Sequence, residues 1–313
     1  MRRAAYIAFF FFTFVPTVAV LVGYVVGPSA LHPQRLNPER VQQAQEMLLR
    51  TNTLAEDFEV KTRDGFDLRG WKIRTPNTTG DWVILFHGVS DNRTGVLGAA
   101  ELLLRHGFSV VMMDSRAHGM SGGDMATYGW KERFDTVAIV DALYATENVR
   151  RLFALGVSMG AAIALQSAGI EPRIEGVVAE DPFADLREVS YDYAGLRAWP
   201  WLGKTFLRPA ALAAMYSMSK AGGFNPNEVS PAKAVAERPF AVLLICGTRD
   251  TTIPCRHAER IYEAAQGPKE LWIVPEAAHA SALGQDPVNY EKRVVGFFEG
   301  CRGRAVKEKA KQF

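Results

Sequence analysis

A serine between two glycines is the residue of this chain best suited to nucleophilic chemistry. Residues 155–160 read Leu-Gly-Val-Ser-Met-Gly, which places Ser158 in a G-x-S-x-G pattern. Residues 151–155 before it suit a buried strand, and residues 161–166 after it suit a helix. A sharp turn from strand to helix would expose the hydroxyl, and small neighbours would let the two elements approach closely. The pattern therefore predicts Ser158 as a nucleophile, provided that a base and an acid accompany it.

Two residues further along the chain fit those roles. A serine hydroxyl is a poor nucleophile until a base takes its proton, and a carboxylate must orient the base. Asp250 follows the predicted strand Phe240–Cys246, and His279 follows the next one, Glu270–Val274. We therefore predict Ser158 as nucleophile, His279 as base and Asp250 as acid.

A second carboxylate competes for the role of the acid. Asp181 ends the strand that follows the serine, and an acid at that point could also reach a histidine. Asp250 is favoured because residues 247–250, Gly-Thr-Arg-Asp, resemble the loop that carries the acid in α/β hydrolases with this triad order. Both assignments remain open at this stage.

The elements around these residues alternate between apolar strands and amphipathic helices. This alternation predicts an α/β protein with a mostly parallel central sheet and helices on both faces. The predicted strands are 82–86, 108–113, 151–155, 174–179, 240–246 and 270–274, and the predicted helices are 94–106, 131–146, 254–265 and 287–298. Residues 58–73 turn at Asp64-Gly65 and predict an antiparallel hairpin. The chemistry should then sit at the carboxyl ends of the strands.

An insertion of unusual length separates the strand after the serine from the strand before Asp250. Residues 183–238 are rich in Met, Trp and Leu, and they predict a helical cap that shapes an apolar acyl pocket. The alternative is a set of helices that pack on the core without touching the substrate.

These motifs resemble the α/β-hydrolase fold over residues 58–298. The matching runs are Phe86-His87-Gly88-Val89, the stretch 114–123 (Asp-Ser-Arg-Ala-His-Gly-Met-Ser-Gly-Gly), the G-x-S-x-G run and Gly247-Thr248-Arg249-Asp250. Residues 127–135 are similar to membrane-anchored bacterial hydrolases of the serine aminopeptidase-like or lysophospholipase-like group. The resemblance implies an oxyanion hole made by the backbone N–H groups of Val89 and Met159, and a reaction without cofactor or metal. His87 and His118 are interpreted as structural.

The N-terminal residues predict a membrane anchor. Residues 4–26 carry no charge and follow Arg2 and Arg3, and about 20 apolar residues suffice to span a bilayer. We predict a signal anchor over residues 1–27, with the catalytic domain on the extracytoplasmic side. Residues 28–57 would form a juxtamembrane spacer, although the helix within them could equally pack on the main domain. The main domain would span residues 58–301, and a solvated basic tail residues 302–313.

Composition narrows the functional classes further. The chain has 313 residues with a net charge of +2, and it lacks the basic stripe that nucleic-acid binding requires. Cys246 and Cys255 flank the Asp250 loop, where they could pair or remain free thiols. We predict a membrane-anchored serine hydrolase acting on an ester or thioester with an apolar acyl part, a class of substrate that includes lipids. An aminopeptidase on the same triad and a binding scaffold without activity are the alternatives.

Overall fold

The computed structural model describes residues 13–37, 40–76, 78–195, 197 and 199–310. The described part contains these helices and strands in chain order: α1 Val15–Ser29, α2 Val41–Thr51, β1 Ala55–Lys61, β2 Asp67–Ile73, β3 Asp81–Phe86, α3 Leu97–Arg105, β4 Ser109–Met113, α4 Glu132–Thr146, β5 Arg151–Val157, α5 Met159–Ile170, β6 Ile174–Glu180, α6 Leu186–Ala194, α7 Pro200–Lys204, α8 Arg208–Gly222, α9 Pro231–Glu237, β7 Ala241–Gly247, α10 Arg256–Ala264, β8 Lys269–Val274, α11 Ala282–Gln285 and α12 Pro287–Ala310. They form two compact units. The helical unit comprises the described residues of Met1–Pro33 and Asp185–Val229, and the sheet unit those of Gln34–Ala184 and Ser230–Phe313.

The sheet unit is built on one sheet of eight strands in the order β1-β2-β4-β3-β5-β6-β7-β8. Strands β1 and β2 pair antiparallel, as the predicted hairpin requires, and β2 pairs antiparallel with β4. The remaining pairs are parallel. The mostly parallel sheet is therefore confirmed, and the carboxyl ends of β5, β6, β7 and β8 lie side by side at one edge.

Two apolar layers cover the two faces of this sheet. Successive side chains of a strand point to opposite faces, so Ile84 of β3 packs with helices α4, α5, α9 and α10. Its neighbours Val83 and Leu85 pack with α2, α3 and α12 on the other face. Strand β3 is buried throughout, as a central strand covered on both sides should be.

Helix α2 packs on the sheet unit, which is one of the two arrangements that the sequence left open. Ala44 and Met47 are buried in the same apolar layer as α3, so the helix packs on the sheet unit. An exposed ion pair between Arg50 and Glu101 also joins α2 to α3. Residues 41–51 are therefore a first helix of this unit and do not form a free spacer.

The C-terminal helix extends into the range of the predicted basic tail. Helix α12 extends from Pro287 to Ala310, beyond the predicted end at Phe298, and residues 311–313 lie outside the described residues. Lys, Glu, Arg and Ala favour helix, so this stretch continues the helix without a strong breaker. Arg302 also binds Asp81 at 2.5 Å, which fastens the helix to the start of β3.

The helical unit contains α1 and the insertion helices α6, α7 and α8. Helix α1 packs closely along α8: a Cβ on Gly23 would lie 2.2 Å from the carbonyl oxygen of Ala210, and one on Gly27 would lie 2.2 Å from that of Ala214. Only glycine permits backbones this close at those positions. Helix α9, which the sequence placed in the cap, instead buries Val235 in the core of the sheet unit.

The predicted transmembrane span is not supported by the described helices. Its first part, residues 4–12, lies outside the described residues. Over the ranges that the structure describes, no helix combines the length and apolarity needed to cross a membrane. Helix α1 begins at Val15 and continues to Ser29, past the predicted end of the span.

Candidate active site

The turn between β5 and α5 holds Ser158 in a strained conformation. Its backbone has φ 56° and ψ −118°, a region that residues with a side chain rarely occupy. The two glycines of the motif are sterically required here. A Cβ on Gly156 would lie 2.2 Å from the carbonyl oxygen of Gly160, and one on Gly160 would lie 2.2 Å from that of Phe86. This close packing fixes the turn that presents the hydroxyl at the strand ends.

The structure brings Ser158, His279 and Asp250 into one line of hydrogen bonds. His279 Nε2 lies 2.9 Å from Ser158 Oγ, and His279 Nδ1 lies 2.6 Å from Asp250 Oδ2. With the proton on Nδ1 donated to Asp250, Nε2 is free to accept the serine proton. The predicted nucleophile, base and acid therefore have the geometry that their roles require, and the roles themselves remain predictions.

The Asp250 carboxylate is held from several directions. Its Oδ1 accepts the backbone N–H groups of Thr252 at 2.7 Å and Ile253 at 2.9 Å. A disulfide joins Cys246 at the end of β7 to Cys255 just before α10, which closes the loop that carries the acid. The sequence left this pairing open against free thiols. The third cysteine, Cys301, is buried and is not part of this disulfide.

The predicted oxyanion hole lies next to the nucleophile. A Cβ on Gly88 would lie 3.8 Å from the Cβ of Ser158, so the segment that carries Val89 borders the serine. Met159 is the first residue of α5, and N–H groups in the first turn of a helix have no acceptor within the helix. The segment of Val89 and the start of α5 therefore both border the serine, and the oxyanion hole itself stays a prediction.

His87 and His118 are buried, and each makes a hydrogen bond to the backbone. The Nε2 atom of His87 accepts the N–H of Ser115 at 3.0 Å, and Asp114 binds Arg93 at 2.8 Å. Burial lowers the pKa of His87, and burial together with His87 lowers the pKa of His118 to about 4. Neutral, bonded imidazoles of this kind fit the structural interpretation.

Asp181, the alternative acid, lies farther from the histidine than Asp250 does. Its Oδ2 is 3.8 Å from His279 Nδ1, beyond hydrogen-bonding distance. Asp181, Asp250 and His279 are also close enough for one atom of each to reach a shared cation. The Nδ1 atom of His279 lies 2.6 Å from Asp250 Oδ2, so a hydrogen bond already accounts for the contact between these two residues. The arrangement favours a histidine base that is oriented by Asp250, and the sequence prediction of a reaction without metal or cofactor stands as a prediction.

The charge around His279 predicts the pH dependence of the reaction. Burial alone would lower the pKa of His279, but the bond to Asp250 and the charges of Asp250 and Asp181 outweigh it and raise the pKa above its ordinary value. The base must be neutral to accept a proton, so kcat/KM should rise with pH through an ionisation above about 6.5. Initial rates on a small ester across the pH range measure this. A profile that is flat from mildly acid to alkaline pH would contradict a histidine base.

The fold and the site define the class of this protein as an α/β hydrolase, and comparison with known proteins supports that class. Residues 79–221 match the family model described as serine aminopeptidase, S33. The uncharacterized protein YqkD of Bacillus subtilis is 32% identical over 249 residues, which cover 77% of this chain and 78% of that protein. The chain therefore belongs to this family of α/β hydrolases.

Two further relatives carry informative descriptions. The Pyrococcus furiosus esterase Pf2001 has 26% sequence identity to this chain, and its structure matches with a TM-score of 0.68. The match covers 86% of this chain and 98% of that one. An uncharacterized membrane protein of Saccharomyces cerevisiae is 24% identical over 234 residues, 74% of this chain and 75% of that protein. Both are proteins that this chain resembles over most of its length.

Sequence reasoning left one feature of the site open and missed another. The disulfide between Cys246 and Cys255 was one of two open alternatives, and their places at the two ends of one loop were the available signal. The bonds that Asp181 makes to the loops of Asp250 and His279 were not foreseen. Its position directly after a strand end was the available signal, since such positions meet at one edge of a parallel sheet.

Proposed function

We propose that this protein is a serine esterase that cleaves an ester or thioester with an apolar acyl part. The observation that carries the proposal is the hydrogen-bonded line from Ser158 through His279 to Asp250. In the first step Ser158 Oγ attacks the acyl carbonyl while His279 Nε2 takes its proton. The bond to Asp250 stabilises the resulting imidazolium.

This attack forms a tetrahedral intermediate, which then collapses to an acyl-enzyme. The oxyanion of the tetrahedral intermediate is stabilised by the N–H groups of Met159 and Val89, and each of these hydrogen bonds contributes about 3–4 kcal/mol in the transition state. His279 returns the proton to the leaving alcohol or thiol, and the acyl group stays on Ser158. A water molecule, activated by the same imidazole, releases the acid and restores the serine.

An aminopeptidase is the second candidate because the matching family model is described in those terms. An acidic pair in the insertion would be needed to hold a substrate amine. The carboxylates of the insertion are already engaged: Asp185 accepts the N–H of Glu188 at 2.7 Å, and Glu188 pairs with Lys204 at 3.0 Å. Asp192 is buried. The described carboxylates of this unit therefore favour the ester substrate over the amine.

A chain-length series distinguishes the two candidates. On p-nitrophenyl esters we expect kcat/KM to rise with the acyl chain, by about twofold to fourfold per added methylene, because each buried CH2 contributes about 0.8 kcal/mol. Aminoacyl p-nitroanilides should be cleaved far more slowly. Highest activity on the anilides would favour the aminopeptidase, and no activity on either class would favour a binding scaffold.

We propose further that the enzyme acts at a membrane with its sheet unit on the extracytoplasmic side. Helix α1 carries no charged residue and exposes apolar side chains: Leu21, Val22 and Val25 are 60%, 54% and 73% exposed. The disulfide supports an oxidising compartment, because cytosolic thiols are kept reduced. The yeast relative described as a membrane protein adds support.

This location predicts two results for the full-length protein. It should remain with membranes after carbonate extraction, and a reporter fused after Phe313 that is active only outside the cytoplasm should give signal. The reporter is the more demanding test, because basic residues lie on both sides of the apolar N-terminal segment. Arg2 and Arg3 precede this segment, and Arg35 and Arg40 follow it. Release into the soluble fraction, or activity of a cytoplasmic reporter instead, would contradict the proposed location.

A further inference from the structure

We infer that Asp181 is a positioning residue that fastens the loop of the acid to the loop of the base. The inference rests on the proposed triad reaction and concerns a residue to which that reaction gives no role. Asp181 is 2% exposed and follows the last residue of β6. No atom of it needs to touch the substrate for this function.

The two oxygens of the Asp181 carboxylate are divided between the two loops. Oδ1 accepts the N–H of Gly247, at the start of the segment that leads to Asp250, at 3.2 Å. Oδ2 accepts the N–H of Ala280, the residue after His279, at 2.7 Å. One buried side chain therefore sets the spacing between the two segments whose side chains must meet.

The backbone around Asp181 extends the same connection to the nucleophile. The carbonyl oxygen of Glu180 accepts the N–H of Ser158 at 2.8 Å, and the N–H of Asp181 donates to Ile245 of β7 at 2.8 Å. Asp181 itself has φ 50°, in the left-handed region that Asp adopts more readily than most residues. This conformation turns its carboxylate away from the strand and toward both loops.

The charge of Asp181 has a second effect, on the pKa of His279, which its hydrogen bonds to the two loops alone would not have. The titratable groups facing it are Glu180, Asp250, His279 and Tyr290. Burial and the neighbouring carboxylates raise the pKa of Asp181 to about 7, so Asp181 gains its negative charge as the pH rises through that value. A negative charge 3.8 Å from Nδ1 stabilises the imidazolium, and its loss should lower the pKa of the base.

Asp181→Asn and Asp181→Gly test the inference in the full-length protein. Asn tolerates the positive φ and keeps one acceptor oxygen, whereas Gly tolerates it and keeps none. The readout is the rate at which Ser158 reacts with a fluorophosphonate between about pH 5 and about pH 9, which needs no knowledge of the substrate. We expect Asn to slow labelling by about 10-fold to 100-fold and Gly by more, because small misplacements of a base have effects of this size.

The control is Asp81→Asn, which removes a carboxylate that is equally buried but lies at the start of β3, where it binds Arg302. We expect it to lower the melting temperature and leave the labelling rate and its pH profile unchanged. The Asp181 variants should in addition move the rise of the pH profile to lower pH. Labelling within twofold of wild type, an unmoved pH profile, or equal slowing in Asp81→Asn would overturn the inference. Failure of the wild-type protein to label would instead overturn the proposed function.

Discussion

Replacing Ser158 by Ala should abolish esterase turnover while leaving the fold intact. The substitution removes only the hydroxyl that lies 2.9 Å from His279 Nε2. In other enzymes with this triad, loss of the serine lowers kcat on the order of 10⁶-fold, and oxyanion binding accounts for what remains. We therefore expect a fall of about this size with little change in the melting temperature, measured on the best ester of the chain-length series.

Ser167→Ala is the matched control for this change. Ser167 is a fully buried serine in the same helix that follows the nucleophile, and its hydroxyl bonds to Thr136 at 2.9 Å. We expect this variant to lose about 1 kcal/mol of stability and to keep its activity. Equal activity of Ser158→Ala and wild type would show that the nucleophile lies elsewhere.

Replacing Asp250 by Asn should produce the second largest loss. Asn has no negative charge and can present its NH2 group to Nδ1. The imidazole therefore loses the partner that fixes its tautomer and stabilises its charged form. A fall in kcat on the order of 10⁴-fold, or about 5 kcal/mol of barrier, is expected. The backbone N–H groups of Thr252 and Ile253 can still be accepted by the amide oxygen, so the loop should stay folded.

The comparison between Asp250→Asn and Asp181→Asn decides which carboxylate is the acid. Asp250 bonds to Nδ1 at 2.6 Å and Asp181 lies 3.8 Å from it, so the loss at position 250 should exceed that at 181 by about 100-fold or more. Both variants are measured for kcat, KM and melting temperature on one ester. A larger loss at position 181 would make Asp181 the acid and would refute the interpretation of the Gly247–Asp250 loop.

The triad could be predicted because each of its members follows a strand that the sequence makes plain. Ser158, Asp250 and His279 come after β5, β7 and β8, and apolar strands separated by helices must run parallel in one sheet. Residues far apart in the chain then meet at one edge. This logic needs only strand ends and residue chemistry, both of which are visible in the sequence.

Contacts that depend on side-chain direction could not be predicted in this way. The φ of Asp181 turns its carboxylate toward two loops, and no pattern of residue types specifies that value. Two glycines four residues apart in α1, Gly23 and Gly27, indicate a close helix contact, but their partner α8 lies far along the chain. Helix α2 was ambiguous for another reason, because an amphipathic helix can bury its apolar face on a domain or at a membrane surface.

Mapping the covalent adduct of a fluorophosphonate identifies the nucleophile of this enzyme. The full-length protein is treated with the probe at a pH above the rise of its activity profile, digested, and analysed by mass spectrometry. We expect one adduct, on Ser158, that forms in step with the loss of esterase activity and is absent from Ser158→Ala. An adduct on another serine, or complete inactivation of the enzyme with Ser158 unmodified, would contradict it.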